Sequence, residues 1–220
     1  MRDGYAYQVL GDNGIVVTVE LLAFVRASLP ATPARVLEIG AGDGDLAREL
    51  GRAGYDVLAI DPAAEPDGMV KPVALLDVDG RFDAAVAVVS LHHVDPLEAS
   101  CAHLATLLGS GGLLVIDEID SQRFDVTAAT WWQGQRQALG SIEDDLPPDQ
   151  MVDDLRHHIH PVSRLTSALE PHFMLGAPVR GPYLHRWDLR PALHGAEVDL
   201  IAAGLLPAVG WRQVAVCRSQ

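Results

Sequence analysis

The chain has 220 residues, about half of them apolar, with a formal net charge of -14 and Lys71 as its only lysine. That apolar share excludes a disordered chain, and the length is enough to bury a core without disulfides or metal. The acidic balance opposes nucleic acid and anionic membrane as partners and suits a small molecule.

Cys101 and Cys217 form no C-x-x-C pair, so neither a disulfide framework nor a cysteine zinc site is expected. Residues 15–29 read as an amphipathic helix stopped by Pro30 and Pro33. The apolar stretch Ile15 to Val25 carries Glu20 and is too short to span a bilayer; with no leader pattern visible, a cytoplasmic protein is expected.

Val36 to Ile39 is a short apolar strand. Leu46 to Ala53 is a helix with Gly54 at its C-cap, and Val57 to Ile60 is a second strand ending in Asp61-Pro62. Val73 to Leu76 reads as a third strand. Phe82 to Val89, the fourth, is apolar on both faces, as in the middle of a helix-covered parallel sheet. A helix over 96–108 and the turn Gly109-Ser110-Gly111-Gly112 lead into a fifth strand, Leu113 to Ile119. Strand and helix alternate, which predicts a doubly wound α/β sheet.

The rhythm then changes. Residues 121–180 look mostly helical and hold Trp131, Trp132 and four of the nine histidines. The reading is one domain over 1–220, with 121–180 as a helical lid or substrate insertion after strand five. Tyr183 to Leu189 is strand-like, 196–206 is helical, and Trp211 to Val216 closes the chain as a strand.

The run Glu38-Ile39-Gly40-Ala41-Gly42-Asp43-Gly44-Asp45 carries the most chemistry. Its third glycine comes one position too early for the G-x-G-x-x-G turn that seats a pyrophosphate. Glu38, Asp43 and Asp45, with no cation apparent nearby, would repel such a ligand. They would tolerate one with an ammonium and a sulfonium, which is S-adenosylmethionine. Asp61, at the end of the next strand, can accept ribose hydroxyls.

These residues resemble the class I S-adenosylmethionine-dependent methyltransferases. The likeness rests on the run from Glu38 to Gly44, Asp61, the strand from Phe82 to Val89, and Gly111-Gly112 before strand five. Ser90-Leu91-His92-His93-Val94 is similar to the small-molecule, UbiE-like branch. The likeness covers residues 1–120 and the last two strands, and is weaker over 121–180. It implies a seven-stranded Rossmann-like sheet with an antiparallel last strand and S-adenosylmethionine as donor. Gly40, Ala41, Gly42 and Gly44 would wrap its methionine part. Glu38 would orient that loop or reach the ammonium through water. Asp61, with Pro62, would bind the ribose, and Asp77 or Val78 would lie beside the adenine. Ser90 is a further donor-side position. The stretch Asp77 to Phe82 is shorter than the family pattern.

The methyl acceptor is read as a small molecule, a hydroxyl before nitrogen or carbon. A hydroxyl must lose a proton, and an imidazole suits that role near neutral pH. His92 or His93 is the candidate base, against packing beneath the donor. Trp131, Trp132 and Gln135 are candidate acceptor contacts, with core packing of the tryptophans as the alternative. Tyr183 and His185, at the start of the predicted sixth strand, could border the same pocket. His157, His158 and His160 lack the i, i+4 spacing of a metal pair, so no metal is expected. The D/N-P-P-Y/F/W turn of amino-methylating DNA enzymes is missing after strand four, so a nucleic-acid substrate is not expected. The arginine-rich, lysine-poor composition points to secondary metabolism in a GC-rich bacterium. Two other readings stay open: a nicotinamide-dependent oxidoreductase on a similar sheet, and a donor-binding protein without turnover.

Overall fold

Thr18 opens the first helix, α1 (Val19–Ser28), by accepting the Leu21 N–H on its side chain; Leu21 and Val25, four apart, are the buried face. The computed structural model describes residues 17–66, 68–140, 146–187 and 189–219, so the first two residues of the predicted helix lie outside it. After α1 the chain alternates as expected: β1 (Arg35–Ile39), α2 (Asp45–Arg52), β2 (Asp56–Ile60), β3 (Ala84–Val88), α3 (Leu97–Leu108) and β4 (Leu113–Ile119). β3 is Ala84-Ala85-Val86-Ala87-Val88 and is buried throughout, which requires cover on both faces of the sheet. In α2, Leu46, Ala47 and Leu50 are buried while Arg48, Glu49 and Arg52 point outward.

Beyond β4 come α4 (Val126–Ala138), α5 (Pro148–His158), α6 (Val162–Leu169), β5 (Phe173–Leu175), β6 (Val179–Gly181), α7 (His194–Ala202) and β7 (Gly210–Cys217). The sheet has seven strands in the order β2-β1-β3-β4-β7-β5, with β6 also on β7. β1 pairs in parallel with β2 and β3, and β3 with β4. β7 runs antiparallel to β4 and β5. The order reverses at β1, whose neighbours β2 and β3 lie on opposite sides; ligands of such sheets sit at the carboxyl ends of the strands there.

The strand count agrees with the expectation, but two of the strands differ. Val73 to Leu76 is not a strand. Lys71 makes a single parallel bridge to Ile60, Pro72 then lacks an N–H to donate, the Val73 N–H turns back to Lys71, and Leu75–Asp77 forms a 3-10 turn. The strand predicted from Tyr183 does not form over the described residues there, where Leu184–Arg186 is a 3-10 turn. The three-residue strands β5 and β6 make up the number.

By its contacts the chain divides into two compact units. One holds residues 17–118, 163–179 and 212–220, with the parallel strands; the other includes 119–162 and 180–211, with α4, α5 and α7. In the second, Trp132 and Phe124 are fully buried, and both pack on Trp187, with ring centroids 4.8 Å and 5.4 Å away. Among the described residues no helix is long and apolar enough to cross a membrane.

Candidate donor-binding site

The glycine run lies between β1 and α2, and its three glycines all have positive φ: +68°, +50° and +76° for Gly40, Gly42 and Gly44. Their roles differ. A Cβ on Gly40 would stand 2.3 Å from the Ser90 Cβ, and one on Gly44 would stand 2.7 Å from the Met69 Cε. Ser90 thus packs against Gly40, while at Gly44 the buried Val70, with its Cγ2 at 2.9 Å, and the positive φ leave no room for a side chain. A Cβ on Gly42 would meet nothing within 4 Å, so this is the glycine that leaves its backbone open to a ligand.

Asp61 holds the loop. Its Oδ2 accepts the Gly42 N–H at 3.0 Å and its Oδ1 accepts the Ala63 N–H at 2.9 Å, which fixes the Asp61-Pro62 turn. Each oxygen keeps a lone pair for a further donor such as a ribose hydroxyl. The Ala41 N–H donates to the Ile60 carbonyl at 2.9 Å, so the loop is also tied to the end of β2.

Glu38 sits within β1 with 4 % of its surface exposed. Burial pushes its carboxyl up from an ordinary 4.5 to about 8, against the opposing pull of the Ala47 N–H, which it accepts, and of the Arg48 charge. Gly44 provides no side-chain cap for α2, so Glu38 caps the helix from the neighbouring strand. Its Oε2 is buried without a hydrogen-bond partner among the described residues.

The charge argument drawn from sequence needs correction. A cation does stand at the loop: Arg48 donates to the Asp43 carbonyl at 2.8 Å and pairs with the Asp45 carboxylate, one helical turn before it. Glu38 is mostly protonated near pH 7. Two of the three carboxylates are therefore neutralised. S-adenosylmethionine still fits the residues present: the lone buried Oε2 of Glu38 gains from a nearby cation, and the space at Gly42 lets a ligand approach the backbone.

At the carboxyl end of β3 the chain is strained. Val89, a β-branched residue, has φ +51°. It leads into the 3-10 turn Leu91–His93. Ser90 Oγ donates to the Ile39 carbonyl at 2.6 Å and so joins this turn to the glycine run. Glu118 of β4, fully buried, gathers the turn: its Oε1 accepts the N–H groups of Ser90 at 3.0 Å and Leu91 at 2.9 Å, and its Oε2 lies 2.5 Å from His92 Nδ1. His92 is 1 % exposed, and its Nε2 makes no hydrogen bond among the described residues. His93 is exposed, its ring edge-on to His92 at 4.2 Å. Asp77 is exposed; Val78 is buried, and its carbonyl lies 2.9 Å from His103 Nε2.

The candidate acceptor residues lie in the other unit. Trp132 belongs to its core rather than to a ligand surface: its indole N–H donates to the Trp187 carbonyl at 2.6 Å and Arg136 lies over its ring. Trp131 and Gln135, four apart on α4, are half-buried. Tyr183 and His185 belong to the Leu184–Arg186 turn, and the cause of that turn is Glu197 of α7. Its carboxylate accepts the N–H groups of Tyr183, Leu184 and His185 at 2.7, 2.9 and 2.9 Å. Three successive N–H groups pointing one way cannot belong to a strand, where they alternate. Glu118 and Glu197 were both missed in the sequence; for Glu118 the signal was there, a carboxylate in an apolar central strand. His158 Nδ1 lies 2.8 Å from the Asp154 carbonyl, and among the described residues no group of His, Cys, Asp and Glu side chains is placed to hold a metal ion.

The chain belongs to the methyltransferase domain family, which matches residues 11–150. A Staphylococcus carnosus protein named as an uncharacterized methyltransferase is 33 % identical over 115 residues, 46 % of this chain and 56 % of that one. The ubiquinone biosynthesis O-methyltransferase of Xanthomonas axonopodis pv. citri is 33 % identical over 116 residues, 45 % of this chain and 48 % of that one. The chain thus spans about half the length of the curated relatives it matches. The crystal structure of an S-adenosylmethionine-dependent methyltransferase from Mesorhizobium loti has the same fold, with a TM-score of 0.57 and 20 % identity over 92 % of this chain and all of that one.

Proposed function

We propose that this protein moves a methyl group from S-adenosylmethionine to a hydroxyl of a small organic molecule, with His92 as the proton acceptor. The observation that carries the reading is the buried Glu118–His92 pair beside the loop that fits the donor. When bound, the donor supplies a methyl group already activated by its sulfonium charge, so alignment and exclusion of water are the main tasks left to the protein. Gly42 opens the backbone to the donor, Asp61 holds the loop and offers lone pairs to the ribose, and Glu38 offers a carboxyl to a cation. Val78, rather than exposed Asp77, suits an apolar contact to the adenine. Glu118 accepts a hydrogen bond from the Nδ1–H of His92, which keeps the proton on Nδ1 and leaves the Nε2 lone pair to receive one. The name of the Xanthomonas relative supports an oxygen acceptor, and Trp131 and Gln135 are kept as acceptor contacts.

Calorimetry with S-adenosylmethionine, then release of S-adenosylhomocysteine with a panel of phenols and alcohols, tests this reading. Donor binding and product release with a hydroxylated acceptor are expected. His92→Asn should keep donor affinity and cut turnover about 100-fold. Tight binding of a nicotinamide dinucleotide without S-adenosylmethionine binding would overturn the reading; unchanged turnover in His92→Asn would remove His92 from it.

A further inference from the structure

Two turns in this chain follow one plan. Ser90-Leu91-His92 and Tyr183-Leu184-His185 each begin at a residue of unusual backbone shape, with φ/ψ of -136°/-33° and -147°/-37°. In each, successive N–H groups converge on one fully buried glutamate, and that same carboxylate faces the histidine Nδ1, at 2.5 Å for His92 and 2.7 Å for His185. In each, the histidine Nε2 is buried and makes no hydrogen bond among the described residues. The first turn is accounted for by the proposed reaction. The second is not.

We propose that His185 Nε2 is a binding point for an aryl hydroxyl of a small neutral molecule, with Glu197 as its positioning residue. Burial would raise the Glu197 carboxyl, but the His185 bond and the three backbone N–H groups together hold it below the usual range, so it is a carboxylate. A carboxylate at Nδ1 fixes the proton there and leaves the lone pair on Nε2. Nε2 is therefore an acceptor, and its partner is a donor. Bringing a neutral hydroxyl to a site this buried costs far less than bringing an ammonium. The His194 ring, 4.7 Å from His185, gives a flat ring carrying that hydroxyl an aromatic neighbour beside the histidine. The inference stands independently of the methyl-transfer reading.

The test uses the full chain, labelled with ¹⁵N, phenol as the probe and benzene as its control. Two-bond ¹H–¹⁵N spectra of the histidine rings should show His185 protonated at Nδ1 alone. Phenol should move its Nε2 resonance toward that of a hydrogen-bonded nitrogen, and benzene should not. His185→Asn keeps an N–H for Glu197 and removes Nε2; it should weaken phenol binding about tenfold. The spectra of the unmodified chain decide the matter even if that variant fails to fold. A doubly protonated ring, an Nε2 that phenol leaves unmoved because it holds only a water, or an equal response to benzene would overturn the proposal. Calorimetry with S-adenosylmethionine on the same sample separates the two readings. A responsive Nε2 without donor binding sinks the methyl-transfer reading alone, and donor binding with an unresponsive Nε2 sinks this one alone.

Discussion

The glycine run after β1 and the Leu184–Arg186 turn both gather backbone N–H groups, and they do it in opposite ways. The first uses left-handed glycines, a helix N-terminus and two separate acids: Asp61, which ties the loop down, and Glu38, which burial keeps mostly protonated near neutral pH. The second wraps its N–H groups around one carboxylate, Glu197, whose charge is satisfied from within. An under-satisfied acid can respond to an arriving cation, whereas a satisfied one holds its turn still. The difference separates a loop made to receive charge from a turn made to aim a side chain.

Removing Glu197 should break the comparison most visibly. Glu197→Ala leaves three N–H groups and an imidazole without their acceptor and should cost about 3–5 kcal/mol of stability by urea unfolding. Glycine substitutions come next. Gly40→Ala sets a Cβ against Ser90 at a positive φ and should cost roughly 3 kcal/mol. Gly42→Ala has room for its Cβ, so only the φ penalty of about 1–2 kcal/mol should appear in stability. Its larger effect should be on S-adenosylmethionine affinity; a donor affinity equal to that of the unmodified chain would take Gly42 out of the cradle.

The pH dependence sharpens the same contrast. Glu38, raised from 4.5 to about 8, favours the folded state at low pH, and that contribution is lost as pH rises through about 8. Glu197, lowered from 4.5, contributes stability above its unfolded value that is lost as pH falls through its folded one. Glu38→Gln should flatten a plot of Tm against pH between about 4.5 and 8 and leave it unchanged below 4.5. A cationic donor prefers ionised Glu38, so its affinity should climb between pH 6 and 8, by up to about tenfold per unit, and Glu38→Gln should abolish the climb. The smallest effect belongs to Asp45→Asn. It breaks an exposed pair with Arg48 and should change stability by less than about 0.5 kcal/mol.

The receiving loop was legible in the sequence because its determinants are neighbours. An apolar strand, three glycines, a helix start and an aspartate after the next strand all fall within Val36 to Asp61. Even there, the partner of Asp45 lay three residues along a helix and was overlooked. The aiming turn was misread because its cause is distant. Tyr183 to Leu189 has the composition of a strand, and only Glu197, on a later helix, turns its N–H groups to one side. Val73 to Leu76 failed for a local reason, since Pro72 stops the ladder that Lys71 begins. β5 and β6 are three residues each, too short for a periodic pattern to show.

The two units are interleaved along the chain: the unit with the parallel strands is left at Glu118, rejoined at Ser163, left again at Val179 and rejoined at Arg212. No single cut can release either one as a continuous fragment. On the ribosome, the unit with the parallel strands must wait for its last segment, through Cys217 of β7, before its sheet is complete, even though most of its residues emerge first. For protein engineering, shortening this chain from its C-terminus removes part of the first unit to be made, and exchanging the helical region between relatives requires two joins at each graft.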